Sequence, residues 1–252
     1  MLDLSGRKAF ITGGSRGAGR AIAQSFARYG AEVVIGYNRD QDAAEETINS
    51  IKEIGQNAYS IKVNISDYDE VKTAIDFAES KMGSIDILVN NAGIASRGKS
   101  VADTEVQELH NVMGVHFFGS FHCCQLALPI LRKSERADIL FISSAATKTF
   151  AARGVPYGAA KAAMEALAKG LAKEERSNGI RVNVIAPTLF ESEMGKRLVK
   201  ATQGVENIRE LDEKSPFGVV LQPEEIGEIA SFLCSEQNFR ISGQVLYVDG
   251  AS

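Results

Sequence analysis

Cysteine is scarce in this chain: it occurs only at Cys123, Cys124 and Cys234. The count is odd and the spacing matches neither a redox pair nor a metal-ligand set. A disulfide scaffold and a cysteine metal site are thereby excluded, and reduced, mostly buried thiols in a cytosol are expected. No metal ligand set is assigned anywhere. A strong excess of one charge is also missing, because the net charge is only −4 with 24% charged residues. General attraction to nucleic acid is therefore not expected. Linkers, repeats and low-complexity tracts are absent. The opening Met1-Leu-Asp-Leu-Ser-Gly-Arg-Lys8 has no apolar core of a secretory signal, so none is expected.

One stretch lacks charge altogether. From Leu109 to Leu131 there is no Asp, Glu, Lys or Arg. The same stretch holds His110, Asn111, His116, His122, Gln125 and Pro129, more polar groups than a spanning helix tolerates. A buried helix, packed inside the subunit or against another, fits better, and no membrane contact is expected. Its three histidines are six residues apart, so successive rings turn by about 240° on a helix and cannot share one metal.

What is present is a regular alternation. Short β-rich runs at 9–11, 32–36, 58–63, 85–89, 138–142, 181–185 and 245–248 alternate with helical patterns. The helices are expected at 17–29, 41–54, 67–82, 103–131 (one or two), 155–176 and 224–234, with Asp67 as an N-cap. Apolar strands between amphipathic helices imply a single α/β domain, a doubly wound parallel sheet with helices on both faces. Ligands bind such sheets at the carboxyl ends of the strands. At 252 residues the chain can bury a substantial core. Residues 188–221 lack strand character. A segment that long in a compact domain is usually functional or mobile, and it reads as a partly helical lid over a substrate.

Several motifs fall at those carboxyl ends. Thr12-Gly13-Gly14-Ser15-Arg16-Gly17-Ala18-Gly19 follows the first strand and opens the first helix. Glycines let a backbone approach a pyrophosphate, and a helix N-terminus offers N–H donors. The second strand runs into Tyr37-Asn38-Arg39 with no acid before Asp40. NAD sites place an acid there, whereas Arg16 and Arg39 suit a 2′-phosphate. The pair favours NADP(H) over NAD(H). Asn90-Asn91-Ala92-Gly93 ends the fourth strand, and Ser143-Ser144 ends the fifth. Tyr157 and Lys161 follow at i and i+4, on one helix face. A cation beside a phenol stabilises the phenolate, and lowering a tyrosine by about three units takes roughly 4 kcal/mol.

Taken together, these motifs resemble the classical short-chain dehydrogenase/reductase family, across essentially the whole chain. The resemblance rests on Thr12-Gly-x-x-x-Gly-x-Gly19, Asn90-Asn-Ala-Gly93, Ser144, Tyr157-x-x-x-Lys161 and Asn183-Val-Ile-Ala-Pro187. It implies a seven-stranded Rossmann-like sheet and a homotetramer or homodimer built on the two long helices near 105–131 and 155–176. It implies an NADP(H)-dependent oxidoreductase that interconverts a carbonyl and an alcohol, similar to 3-oxoacyl and carbonyl reductases. Tyr157 would be the acid/base. Lys161 would hold the nicotinamide ribose and lower the tyrosine pKa, and Ser144 would orient the carbonyl. Ser144 is chosen over Ser143 because it stands thirteen residues before Tyr157. The implied cofactor contacts are Gly13, Ser15, Arg16, Gly17, Ala18, Gly19, Asn38, Arg39, Asn64, Ile65, Asn90, Ala92, Gly93, Tyr157, Lys161 and Pro187.

Three departures stand out. His116 occupies the place of an asparagine that serves a proton-relay water chain in the family, so His116 either relays or packs. The usual Pro-Gly after the sixth strand is Pro187-Thr188. The chain stops at Ser252, soon after the last strand, so little tail is expected to reach a neighbour. Enoyl reductases of the superfamily place a tyrosine seven residues before the lysine, where this chain has Gly154. Halohydrin dehalogenases have arginine in place of Lys161. The remaining alternatives are an NAD-dependent alcohol dehydrogenase and a non-catalytic NADP(H)-sensing protein.

Overall fold

A computed structural model describes residues 2–251; Met1 and Ser252, which bound the N- and C-terminal readings, lie outside the described residues. The chain order is β1 (Lys8–Thr12), α1 (Gly17–Arg28), β2 (Glu32–Tyr37), α2 (Gln41–Glu53), β3 (Ala58–Lys62), α3 (Tyr68–Met82) and β4 (Ile87–Asn90). There follow α4 (Val106–Met113), a π-helical turn (Gly114–Phe118), α5 (Gly119–Leu131), β5 (Ala137–Ile142), α6 (Ala146–Thr149) and α7 (Val155–Glu174). The last elements are β6 (Ile180–Pro187), α8 (Glu193–Gln203), α9 (Pro223–Cys234) and β7 (Val245–Val248).

The sheet has seven parallel strands in the order β3-β2-β1-β4-β5-β6-β7. Strand order reverses between β1 and β4, which opens a crevice at their carboxyl ends. Helices cover both faces. On one side Val71, Ile75, Cys123, Cys124, Ala127, Met164 and Ala168 bring α3, α5 and α7 onto the sheet. On the other Ile22, Phe26, Ile48, Ile51, Ile226 and Leu233 bring α1, α2 and α9. Apolar strand residues such as Val33, Val89 and Leu140 have no solvent face, which is why these strands read as continuous apolar runs.

Local chemistry sets the helix ends. The Asp67 carboxylate accepts from Asp69 N and Glu70 N at 3.0 Å each, capping α3 as expected. Asp40 caps α2 through Ala43 N. The helix expected to run to Arg176 instead ends at Glu174 and passes into a single 3₁₀ turn over Arg176–Asn178. The uncharged stretch forms one helix, continuous from Val106 to Leu131 and long and apolar enough to span a membrane by length and composition. Cys123, Cys124, Ala127, Ile130 and Leu131 bury one side of it in the core. All three cysteines are buried free thiols, and desolvation pushes Cys123 up to about 12.

Residues 188–221 contain α8 and two 3₁₀ turns, and Phe190 bridges Leu221 across the base of the segment. Val199, Ile208, Leu211 and Val220 give it a small core of its own.

Candidate active site

The crevice floor is made by two turns tied to each other. Thr12 Oγ1 donates to Val89 O and accepts from Asn91 N and Ala92 N at 3.0 and 3.1 Å. The Asn91 amide donates to Thr12 O and Gly13 O at 2.9 and 3.0 Å. A Cβ on Gly19 would stand 2.3 Å from Gly13 O, so only glycine lets α1 start this close to the turn. Gly17 has φ of 54°, a left-handed conformation that glycine adopts without strain. The loop thus presents the α1 N-terminus to the crevice, an arrangement that fits a pyrophosphate.

Not every expected cofactor residue faces that crevice with its side chain. Asn90 is buried and its amide points at Cys124 Sγ, 3.4 Å away. It can address a cofactor only through its backbone, and Asn91 is the residue that bridges the two turns. Ala18 and Gly19 are buried between α1 and the turn, and Ile65 is buried against Gly119 of α5. Ser15 is buried too, its carbonyl taken by Arg20 and Thr47. Pro187 ends β6, and its carbonyl accepts from Ala145 N. Asn64 Oδ1 accepts from Ser66 N in the turn after β3. Asn38 and Arg39 are exposed just past β2. Arg16, also exposed, lies 3.5 Å from Asp40. The acid that follows Arg39 therefore already faces Arg16, a pairing that spacing alone did not show.

On the other side of the crevice stand Ser144, Tyr157, Lys161 and His116. Ser144 begins the turn into α6, with Ala146 N donating to its Oγ at 3.2 Å. Tyr157 lies in the first turns of α7, half-buried. Lys161, one turn on, is buried, and its ammonium donates to Ile142 O at 2.6 Å. Nζ is 5.7 Å from the centroid of the Tyr157 ring. Burial lowers Lys161 to about 7, and the Glu165 charge works against that shift. Burial raises Tyr157, while a hydrogen bond with Ser144 pulls the other way. At Tyr157 itself desolvation dominates and Ser144 supplies the counterweight.

His116 sits in the π-helical turn and is buried. Its Nε2 is 2.8 Å from Ile94 O, and its ring meets Tyr157 edge-on. Burial, and next the charge of Lys161, hold it down at about 3. A neutral imidazole follows at physiological pH. Gly93 lies directly against this ring, since a Cβ there would come within 2.6 Å of His116 Cε1. His110 is exposed and His122 meets the Tyr68 ring edge-on. Among the described residues no group of His, Cys, Asp and Glu is arranged to hold a metal.

Thr12 and Asn91 stood in the quoted motifs, but only the fold shows that they knit the two turns together. Sequence reasoning missed Glu165. Glu165, buried on α7, accepts from Ser143 and Thr147. Its signal was available: Tyr157, Lys161 and Glu165 repeat at four-residue spacing on one helix face.

A family model described as Enoyl-(Acyl carrier protein) reductase matches residues 13–251. The chain is 34% identical over 249 residues to a 7alpha-hydroxysteroid dehydrogenase of Escherichia coli, covering 99% of this chain and 95% of that one. It superimposes on a short chain dehydrogenase from Burkholderia cenocepacia in complex with NADP with a TM-score of 0.88 at 28% identity, covering 98% of both chains. A 3-ketoacyl-(acyl-carrier-protein) reductase from Brucella melitensis, complexed with NADH, gives 0.88 at 32% identity, again over 98% of both. The chain belongs to the family of that model and is a classical short-chain dehydrogenase/reductase. It is an oxidoreductase of the hydride-transferring kind, with a fold that binds a nicotinamide cofactor, and the reading as a non-catalytic sensor is set aside.

Proposed function

We propose that this protein is an NADP(H)-dependent reductase of a small carbonyl compound, with Tyr157 as its proton donor. The observation that carries the reading is the convergence of Ser144, Tyr157 and Lys161 beside a glycine turn that fits a dinucleotide. The residues proposed to hold the cofactor are the backbone of 13–19, Arg16 and Arg39 at its 2′-phosphate, the backbone at Asn90, Ala92 and Gly93, and Lys161 at the ribose. Bound there, a reduced nicotinamide supplies hydride.

The chain's own groups supply the rest. Ser144 and Tyr157 donate hydrogen bonds to the carbonyl oxygen, where negative charge develops. Tyr157, kept a neutral phenol by burial, gives up its proton to that oxygen. Lys161 steadies the resulting phenolate. His116 remains neutral and acts by hydrogen bonding and packing. An enoyl substrate is not favoured despite the family model's description, since Gly154 stands where the corresponding tyrosine would be.

Residues 188–221 are proposed as the substrate lid. Met194 and Leu198 on α8 are exposed, as are Phe150 and Val155 between Ser144 and Tyr157, which supports a mainly apolar substrate. Phe190, by contrast, packs against the core beside α1 at the base of the segment. The buried free thiols support a cytosolic location, and the apolar faces of α5 and α7 support a homotetramer or homodimer.

The test is a panel of 3-oxoacyl thioesters, cyclic ketones, hydroxysteroids and aldehydes, each with NADPH and with NADH, followed by nicotinamide absorbance. Turnover of at least one with NADPH preferred supports the reading. Preference for NADH would assign the NAD-dependent alternative.

A further inference from the structure

The junction of β5 with the loop that follows it is gripped by one face of α7. Lys161 Nζ donates to Ile142 O at 2.6 Å. Ser143 Oγ donates to Glu165 Oε1 at 2.6 Å. Thr147 Oγ1 lies 2.9 Å from Ser144 O and 2.7 Å from Glu165 Oε1, and its proton serves one of the two at a time. Thr147 carries one proton, and the Tyr247 hydroxyl of β7, 3.2 Å away, can donate to it in turn. On the far side the same loop is pinned by backbone, Ser143 N to Ile185 O and Ala145 N to Pro187 O.

Glu165 is the centre of this arrangement and is only 7% exposed. A carboxylate so buried is costly unless its acceptor positions are filled and a positive charge is near. Ser143 donates to Oε1, the Thr147 hydroxyl lies within hydrogen-bond reach of the same oxygen, and Lys161 lies one helical turn away. α7 contributes Lys161, the loop contributes the hydroxyls of Ser143 and Thr147, and β7 contributes Tyr247. Lys148 and Asp249 stand beyond Tyr247, but they pair with each other at 2.5 Å and offset one another. The Lys148 ammonium also lies over the Tyr247 ring.

We propose that Glu165 is a positioning residue of this site: its carboxylate latches the Ser144 loop to α7 and gives Lys161 its counter-charge. The proposal rests on the roles given above to Ser144, Tyr157 and Lys161. It adds that the loop holding the carbonyl-orienting serine and the helix holding the proton donor share a single buried anion. Without that anion Lys161 loses its ammonium more readily, and Ser144 loses its register with Tyr157.

Two variants separate charge from latch. Glu165→Gln keeps an amide oxygen that accepts from Ser143 and removes the charge, whereas Glu165→Ala removes both. Lys161 is followed by NMR in lysine-labelled protein, its signal assigned by its loss in Lys161→Arg. This titration needs no substrate. The expected result is a Lys161 midpoint lower by about half a unit or more in Glu165→Gln. Glu165→Ala is further expected to lose about tenfold or more in kcat, with NADPH affinity unchanged, because Ser144 drifts. Should Glu165→Ala fail to fold by circular dichroism, the Ser143→Ala/Thr147→Val double variant carries the latch arm, with the same loss of kcat and no fall in the Lys161 midpoint. An unmoved midpoint in Glu165→Gln, or wild-type kcat in the variant that breaks the latch, overturns the proposal. Failure of the underlying reading would show separately, as Tyr157→Phe retaining turnover.

Discussion

The imidazole of His116 meets the phenol ring of Tyr157 edge-on, with centroids 5.3 Å apart and planes 88° apart. The contact places a residue from the π-helical turn against the proposed proton donor on α7. A single π-helical turn inside a long helix is rare and often marks a functional position. Here it directs a ring inward that Gly93 and Ile94 then hold.

That ring is expected to stay neutral. Held near 3, it binds no proton at physiological pH. Histidine NMR of the folded protein is predicted to show no titration of His116 between about pH 5 and 8. A midpoint in that window would restore a proton-carrying role. His116→Phe keeps an edge-on ring but leaves Ile94 O without its partner, and about 1–3 kcal/mol of stability should be lost.

Lys161 is predicted to titrate near neutrality. Burial lowers it to about 7, so its ammonium is present below that pH and lost above it. The signal of labelled Lys161 should therefore move through a midpoint about three units below that of a free lysine. A midpoint above 10 would show that the burial penalty is fully offset.

Cofactor choice should respond to three residues around the end of β2. Arg39→Ala is expected to weaken NADPH by about tenfold, with NADH little changed, as losing a hydrogen bond to a charged group does. Arg16→Ala should act in the same direction. Asp40→Asn removes the charge facing Arg16 and should improve NADPH relative to NADH. Equal effects of Arg39→Ala on both cofactors in isothermal titration would contradict a 2′-phosphate site.

Assembly is predicted to depend on the outward faces of α5 and α7. Phe118, which ends the π-helical turn, and Phe121 of α5 are 50% and 43% exposed, and Ala159 and Ala166 line the exposed side of α7. Light scattering should give a dimer or tetramer mass. Phe121→Glu should lower it without loss of secondary structure. A monomeric wild-type chain would rule out these faces as an interface.

Much of this was legible beforehand because it depends on local pattern. The sheet and its helices follow from apolar runs and helical spacing, and Asp67 announces a cap by its type and place. Tyr157 and Lys161 share a face by arithmetic. What was not legible depends on the third dimension. Asn90 ends β4 with its amide turned to Cys124, and Asn91 begins the turn after it, so one position separates a buried amide from one that bridges two turns. The low value of His116 comes from burial, which its sequence position does not state. The dominance of desolvation at Tyr157 and the link from Glu165 to Ser143 appear only when α7 packs on the β5 loop.

The most direct test of the central claim is single-turnover reduction of a panel substrate by NADPH in wild type and Tyr157→Phe. The account predicts NADPH affinity within about twofold of wild type and a rate reduced by roughly 10²–10⁴, the usual contribution of a positioned acid. A Tyr157→Phe rate close to wild type would contradict it.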